Sequence, residues 1–378
     1  MSIYFGVVAL IWLLVAVRFV RDVRALPSLP LSTDLTTDPL PRVSVVIAAR
    51  DEEARIETTL RRLMAQQDVD LELIIIDDRS TDRTSSIVQR IAESDARVKL
   101  VRVETLPERW LGKCHACHVG AESATGEWLL FTDADIWMKP DVIARSLRVA
   151  LAHDVGHICL LFGQGRGSLA GQACHLIATM SMAKSASRLR STPPHGYMGI
   201  GAFNLVYAPA YRAAGGHEPL RMTVCDDWML GLLMRRAGHS TRAMLAAVDV
   251  EADWFDSPIG MIKAMQKNYF AAINFRVGRM MAIVLFYALL WTGAIVGPFT
   301  GTSAGLVAGL AMLLTIIPAT MLASRMRVPL FSALLVPFLA PIIVPVMLNS
   351  AHQTLSQGGI RWRDTFYPLD LLRAGNYR

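Results

Sequence analysis

Apolar and polar positions divide this chain into three regimes. Ile3 to Val17 is continuously apolar and is followed by Arg18, Arg21 and Arg24. With the arginine stem snorkelling, Ile3 to Val20 is long enough to cross a bilayer. A cleaved signal peptide would carry positive charge before its apolar run, and Met1 to Phe5 has none. Residues 1–24 are therefore expected to form an N-terminal transmembrane anchor, with the chain beyond it on the cytoplasmic side. Leu26 to Pro41 is rich in Pro, Thr, Ser and Asp, and 25–41 is expected to be a linker.

From Arg42 short apolar runs alternate with amphipathic segments. Val43–Ala49, Leu71–Ile76, Val98–Val103, the run from Trp128, and His157–Phe162 are expected strands. Between them the pattern predicts helices from Glu53 to about Gln67, from Asp82, from about Lys113 and from near Pro140. Strand–helix alternation of this kind predicts a mostly parallel α/β sheet over 42–259. Gly199–Tyr207 is expected to be a further, Gly-hinged strand, and Asp226 to open a helix running to about Ala237. Ser168 to Arg190 has helical spacing and fits either an amphipathic core helix or one lying on a membrane surface.

The third regime begins after Gly260. Lys263, Lys267, Arg276 and Arg279 mark 260–279 as an interfacial helix. Apolar runs at 280–298, 304–323 and 328–348 are expected to be C-terminal transmembrane segments, followed by a basic tail at 349–378. Pro337, Pro341 and Pro345 are expected to break the last segment and return the tail to the cytoplasm.

Candidate chemistry collects at the strand ends. The run Trp128–Phe131 leads into Asp133 and Asp135, one residue apart. Positions i and i+2 of a strand share a face, so both carboxylates can address one ligand. Paired carboxylates at the end of a buried strand suit a hard divalent cation whose shell substrate phosphates complete. Glu52 and Asp78 close two earlier strands, and ligands of parallel sheets bind beyond the carboxyl ends of the strands. A metal–diphosphate site is the resulting expectation, against the plainer reading of a strand ending in solvated acids.

Composition agrees with the pattern. The chain of 378 residues is 53% hydrophobic and 19% charged, with the apolar excess at its two ends. A net charge of +6 could serve nucleic acid, but the cations flank apolar runs and fit anionic headgroups better. No nucleic-acid partner is expected. Five cysteines without secreted-framework spacing point to a reducing compartment.

Taken together, Val-Ile-Ala-Ala-Arg-Asp-Glu-Glu (46–53), Ile-Asp-Asp-Arg-Ser-Thr-Asp (76–82), Trp-Leu-Gly-Lys (110–113), Thr-Asp-Ala-Asp (132–135) and Asp-Asp-Trp-Met-Leu (226–230) resemble the family 2 glycosyltransferases of GT-A fold. The likeness is to membrane-bound, ceramide-glucosyltransferase-like and hopanoid-associated types, through Trp110–Lys113 and the Trp362-Arg363 tail. It covers roughly residues 42–280. The resemblance implies a Rossmann-like GT-A domain and transfer from a nucleotide sugar, a UDP-sugar, to a membrane lipid with inversion. It implies that Glu52 and Asp78 contact the nucleoside and that Lys113 neutralises the diphosphate. Asp133, also on the donor, would hold Mg²⁺ or Mn²⁺ together with Asp135, and Asp227 would be the general base, with Asp226 replacing the usual Glu. It places the protein in the inner membrane with its catalytic domain in the cytoplasm. One departure is plain: relatives carry Gln/Arg-x-x-Arg-Trp where this chain reads Gln266-Lys-Asn-Tyr269, and Tyr269 or Trp362 is left to take the place of the tryptophan.

Two other function classes compete. A nucleotidyl- or phosphoryl-transferring enzyme also needs paired acids and a metal, though no Walker-type stretch occurs. A non-catalytic membrane scaffold or transporter subunit is disfavoured by the few spans and by the lack of charge inside them. Cys114-His115-Ala116-Cys117-His118 matches the haem-attachment pattern and offers zinc ligands, but no second cysteine pair supports either reading. Arg50 and Glu53 are expected to cap the next helix or to pair with each other. His217 is expected to be structural before it is a ligand.

Overall fold

The computed structural model describes residues 1–31, 39–190 and 196–377. In chain order the first elements are α1 (Ser2–Ala25), β1 (Val43–Ala49), α2 (Ile56–Met64), β2 (Leu71–Asp78), α3 (Thr84–Ser94) and β3 (Val98–Val103). Then come α4 (Gly112–Glu122), β4 (Trp128–Asp133), β5 (Trp137–Met138), α5 (Val142–Ala152), β6 (His157–Leu161) and β7 (Gly163–Gln164). They are followed by α6 (Leu169–Ser187), β8 (Asn204–Tyr207), α7 (Ala208–Ala213), α8 (Asp226–Arg236), β9 (Thr241–Leu245) and β10 (Val250–Ala252). Helices α9 (Pro258–Ala264), α10 (Asn268–Ala272), α11 (Val277–Val296), α12 (Ser303–Leu313), α13 (Ile316–Met326), α14 (Leu330–Leu339) and α15 (Ile343–Ser356) lead to a hairpin and a last helix. These are β11 (Gly359–Trp362), β12 (Thr365–Pro368) and α16 (Leu369–Gly375).

The chain forms two compact units. The α/β unit comprises Pro27–Gly163, Arg188–Ala252 and Ala374–Arg378, with Arg378 and 32–38 and 191–195 outside the described residues. Its seven-stranded sheet has the order β3-β2-β1-β4-β8-β6-β9. Only β8 runs antiparallel to its neighbours β4 and β6, so the sheet is mostly parallel. All of β2 and nearly all of β1 is buried, as expected of parallel strands covered on both faces. Val46, Ile74, Ile76, Leu129 and Phe131 share one face by the strand period, and Ala116, Cys117 and Ala121 of α4 and Leu230, Leu233 and Met234 of α8 join their cluster. At the sheet edge β3 exposes Lys99 and Arg102, which discourages pairing with another chain. Below the site's edge, Glu72 is fully buried and accepts bonds from Ser44 (2.5 Å), Lys99 (2.7 Å) and Thr125 (2.7 Å from both N–H and hydroxyl).

The structure differs from the sequence expectations at identifiable places. The first part of the expected linker is paired: Ser28 bridges Leu245 in parallel, and the Leu29 N–H donates to the Leu245 carbonyl at 2.9 Å. Residues 32–38 of that linker lie outside the described residues. The expected strand Gly199–Tyr207 begins only at Asn204, because the Ile200 and Gly201 N–H groups are taken by the side chains of Asn204 (3.0 Å) and Asp227 (2.9 Å) rather than by a ladder. Helix α6 falls inside the stretch 42–259 but belongs to the helical unit.

That helical unit comprises Met1–Leu26, Gln164–Ser187 and Asp253–Arg373. Four helices in it are long and apolar enough to cross a membrane: Ser2–Ala25, Val277–Thr300, Ser303–Met326 and Leu330–Ser356. Within it, α6 packs against α14, α1 and α13. A 3-10 turn at Ala340–Ile342 interrupts the last span, beyond Pro337, which removes a helical hydrogen bond. Arg325 closes the end of α1 by donating to the carbonyls of Val23 (2.6 Å) and Leu26 (2.7 Å), which lack helical partners.

Candidate active site

The carboxyl ends of β2, β1 and β4 lie side by side in the α/β unit, and the acids singled out in the sequence lie on them or just beyond. Asp133 ends β4. Its Oδ1 accepts a hydrogen bond from Lys113 Nζ at 2.6 Å, and its N–H donates to the Gly201 carbonyl at 3.1 Å. Lys113 is the second residue of α4, and its side chain stays about one-third exposed (34%). Burial would lower the Lys113 pKa, but Asp133, Asp226 and Asp227 outweigh it and hold the ammonium well above its ordinary value.

Asp227 comes from the first turn of α8, where an acid complements the helix dipole. Its Oδ2 accepts from the Gly201 N–H at 2.9 Å and its Oδ1 from the Trp228 N–H at 2.8 Å. Gly201 is therefore the hinge of the site. A Cβ there would stand 2.6 Å from Asp133 Oδ2 and 3.2 Å from Asp227 Oδ2, so only glycine lets both carboxylates close on this loop. Asn204 holds the loop from below. It accepts from the Ile200 N–H at 3.0 Å and donates to the Asp227 carbonyl at 3.3 Å, while His157 Nε2 lies 3.1 Å from its Oδ1. Burial lowers the His157 pKa to about 4, so the ring is neutral near pH 7.

Lys113, Asp133, Gly201, Asn204, His217, Asp226 and Asp227 line one narrow cleft, whose free space is about 10 Å³. That is room for a water. Asp135 is not among the lining residues; it faces Arg55 at 3.7 Å. Burial and the Asp133 carboxylate both push the Asp135 carboxyl up, with Arg55 opposing them.

Asp78 is buried and forked by Arg79, with Nε to Oδ1 at 2.8 Å and NH2 to Oδ2 at 3.1 Å; Arg50 stands 4.0 Å away. Gly112 lets α4 begin directly against the Asp78 carboxylate, which any Cβ would strike. Glu52 lies in the loop after β1 and donates its N–H to Thr84 Oγ1 at 2.7 Å. Asp51 and Arg79 hold φ of 55° and 61°, left-handed values unusual outside glycine, in the two loops that edge this part of the site. Asp77, next to Asp78, accepts from the Ser80 N–H at 3.1 Å and shapes that turn. Glu53 pairs with Arg83 at 3.0 Å, and Arg50 turns to Asp78, so the two do not pair with each other.

The Cys-x-x-Cys-His run is divided by the helix it sits on. Cys114 and Cys117 face inward and are buried, whereas His115 and His118 pack on Trp110, with ring centroids 5.5 and 5.0 Å away. His217 is buried, with Nδ1 2.6 Å from the Tyr211 hydroxyl, and burial lowers its pKa to about 3. Its ring, Cys117 and Asp226 bring potential ligand atoms within 4.8 Å of one another. Sequence reasoning missed Gly201 and Asn204. A polar Asn inside the apolar run Gly199–Tyr207 was the available signal.

This is an α/β domain with a mostly parallel sheet and with carboxylates and a lysine gathered where such sheets bind ligands. Residues 44–213 match the sequence model of Glycosyl transferase family 2. It is 32% identical over 135 residues to a 4,4'-diaponeurosporenoate glycosyltransferase of Staphylococcus haemolyticus, covering 36% of this chain and 32% of that protein. It is 27% identical over 201 residues to the protein of the same name from Staphylococcus aureus, covering 50% of each. The chain thus spans about a third to a half of the length of these curated relatives. Among solved structures, a mannosyltransferase of Pyrobaculum calidifontis in complex with GDP-Man and Mn²⁺ superposes with a TM-score of 0.55 at 20% identity. That match covers 93% of this chain and 99% of the other, and it supports the GT-A fold.

Proposed function

We propose that the protein is a membrane-anchored, inverting glycosyltransferase that moves a sugar from a nucleoside-diphosphate sugar to a lipid hydroxyl. The observation that carries this reading is the meeting of Lys113, Asp133 and Asp227 about Gly201, in a family 2 domain. The names of the staphylococcal relatives and the four apolar helices support a lipid acceptor. The Pyrobaculum neighbour's ligands support a nucleoside-diphosphate donor and a divalent cation.

Glu52 and Asp78 take the nucleoside side of the site, and Lys113 and Asp133 the diphosphate. Asp133 and Asp135 are hard oxygen donors, and burial together with the Asp133 carboxylate disfavours the charged form of Asp135, so the pair suits a cation. Mg²⁺ or Mn²⁺ held there supplies charge neutralisation to the leaving diphosphate. Lys113 is engaged by Asp133 at 2.6 Å, so donor binding exchanges that ion pair for one with the diphosphate. Asp227 accepts the proton of the acceptor hydroxyl while its oxygen bonds to the anomeric carbon. The sugar–phosphate bond breaks, and its electron pair leaves with the diphosphate, where the Lys113 ammonium meets it. The Gly201 and Trp228 N–H groups hold the Asp227 carboxylate in place for this.

The test uses the full chain in detergent with native lipid, a panel of nucleoside-diphosphate sugars, and Mg²⁺ or Mn²⁺. Release of nucleoside diphosphate with labelled lipid is expected, and D227N should bind donor without transferring. Release of nucleoside monophosphate would instead place the protein among phosphoryl-transferring enzymes. Undiminished transfer by both D227N and D135N would refute the assignment of roles.

A further inference from the structure

We propose that the helical unit carries a separate binding site for the phosphate-bearing headgroup of an anionic membrane lipid, formed by Lys267, Arg361 and Arg363. These side chains line a cavity of about 680 Å³, together with the amides of Gln266, Gln353 and Gln357. Among the described residues lining it there is no acid, so its charged groups are all cations. The amides add neutral donors suited to phosphate and glycerol oxygens.

Its position identifies the source of the phosphate. Gln353 and Gln357 lie at the end of the span Leu330–Ser356, and Gln266 and Lys267 shortly precede the span Val277–Thr300. The two span ends are joined locally: the Phe270 N–H donates to Ser350 Oγ at 3.0 Å and Asn349 Nδ2 to the Ile262 carbonyl at 3.4 Å. One end of each span therefore meets the other at the cavity, at the level where lipid headgroups begin. The β11–β12 hairpin lines one side of the cavity and carries Trp362 and Phe366, both 39% exposed, and Trp is enriched at membrane interfaces. Lys267 lies 3.2 Å from the Trp362 ring centroid and Arg361 5.7 Å from that of Phe366, so the aromatic rings hold the cations at this level. Basic pockets beside spans are the kind of surface that anionic headgroups occupy.

The site is distinct from the proposed donor site, and its test does not depend on transfer. Binding of short-chain phosphatidylglycerol to the detergent-solubilised full chain is measured against phosphatidylcholine of the same chain length and against free glycerol 3-phosphate. Saturable binding of phosphatidylglycerol alone is expected, weakened about fivefold for each charge removed in R361Q and R361Q/R363Q. Both arginines are exposed on the hairpin, and R361K/R363K should restore binding if charge is what matters. Equal binding of phosphatidylcholine, or unchanged affinity in R361Q/R363Q with an unchanged melting temperature, would overturn the site. Glycerol 3-phosphate binding as tightly as the lipid would overturn the membrane source.

Discussion

Gly201→Ala is the sharpest perturbation the structure offers. Gly201 is not among the residues with positive φ, so alanine fits the backbone and only space is at issue. The new Cβ would stand 2.6 Å from Asp133 Oδ2 and 3.2 Å from Asp227 Oδ2, where ordinary contact begins at 3.4 Å. The Asp133 carboxylate must move by nearly an ångström, and it is held by Lys113 at 2.6 Å and through its own N–H at 3.1 Å. Misplacing a reacting group by about 1 Å costs on the order of 10²-fold, which is about 3 kcal/mol of barrier. Overpacking adds about 1–3 kcal/mol of lost stability. Steady-state transfer with the full chain should show kcat/KM down about 10²-fold, with a lowered melting temperature. Gly278→Ala, where a Cβ meets nothing within 4 Å, is the control and should change neither. Wild-type kcat/KM and melting temperature in Gly201→Ala would refute the claim that these carboxylates close on this loop.

The same geometry sets other outcomes. Glu72 is buried, which alone would raise its pKa, but Lys99, Ser44 and Thr125 bring it down to about 2 from 4.5. A depressed carboxyl contributes stability that is complete above its unfolded pKa and lost as pH falls from about 4.5 towards 2. Glu72→Gln should therefore cost about 3 kcal/mol near neutrality and flatten the dependence of melting temperature on acid pH; an unchanged acid limb would sink this. Lys113→Met should lower kcat/KM at least about 10²-fold, and a kcat/KM equal to wild type would count against it. Asp135→Asn should weaken donor binding in Mn²⁺ yet strengthen it in a chelator, as titration calorimetry can read; a change of the same sign in both would contradict the metal role.

The strands buried on both faces could be read closely. β1 begins and ends where its apolar run does, because a parallel strand covered on both faces is marked by its own continuous apolar residues. Other features depended on partners distant in sequence. Residues 199–203 look like more strand, but Asp227 and Asn204 capture their N–H groups and bend them into the site's loop. β9 (TRAML) and β10 (VEA) are too short to show a period. Helix α6 has apolar spacing that suits a core or a membrane equally, and only its packing on α1, α13 and α14 assigns it to the helical unit. In the site, the individual acids and Lys113 stood out as motif residues. That Asp133 would meet Lys113 and Asp227 while Asp135 turned to Arg55 depended on the register of β4 against the loop at Gly201. The Cys-x-x-Cys-His run looked like a ligand set because sequence spacing ignores which face of a helix each residue takes.

The charges gathered here bear on how the proposed donor could bind at all. Asp133, Asp226 and Asp227 all act on Lys113, Asp133 acts on Asp135, and Arg55 stands 3.7 Å from Asp135, so four carboxylates gather around the proposed donor site. A diphosphate adds further negative charge. At an effective dielectric near 20, each close like-charge contact costs about 4 kcal/mol. Lys113 cannot relieve this by itself, since turning to the phosphates removes it from Asp133. The carboxylates that would repel the donor are the ones that make a divalent cation favourable beside it, so under the proposed function the two are expected to bind together. That coupling is why neutralising Asp135 should help the donor when metal is withheld and harm it when metal is present. Side chains that only shaped the pocket would give no such reversal.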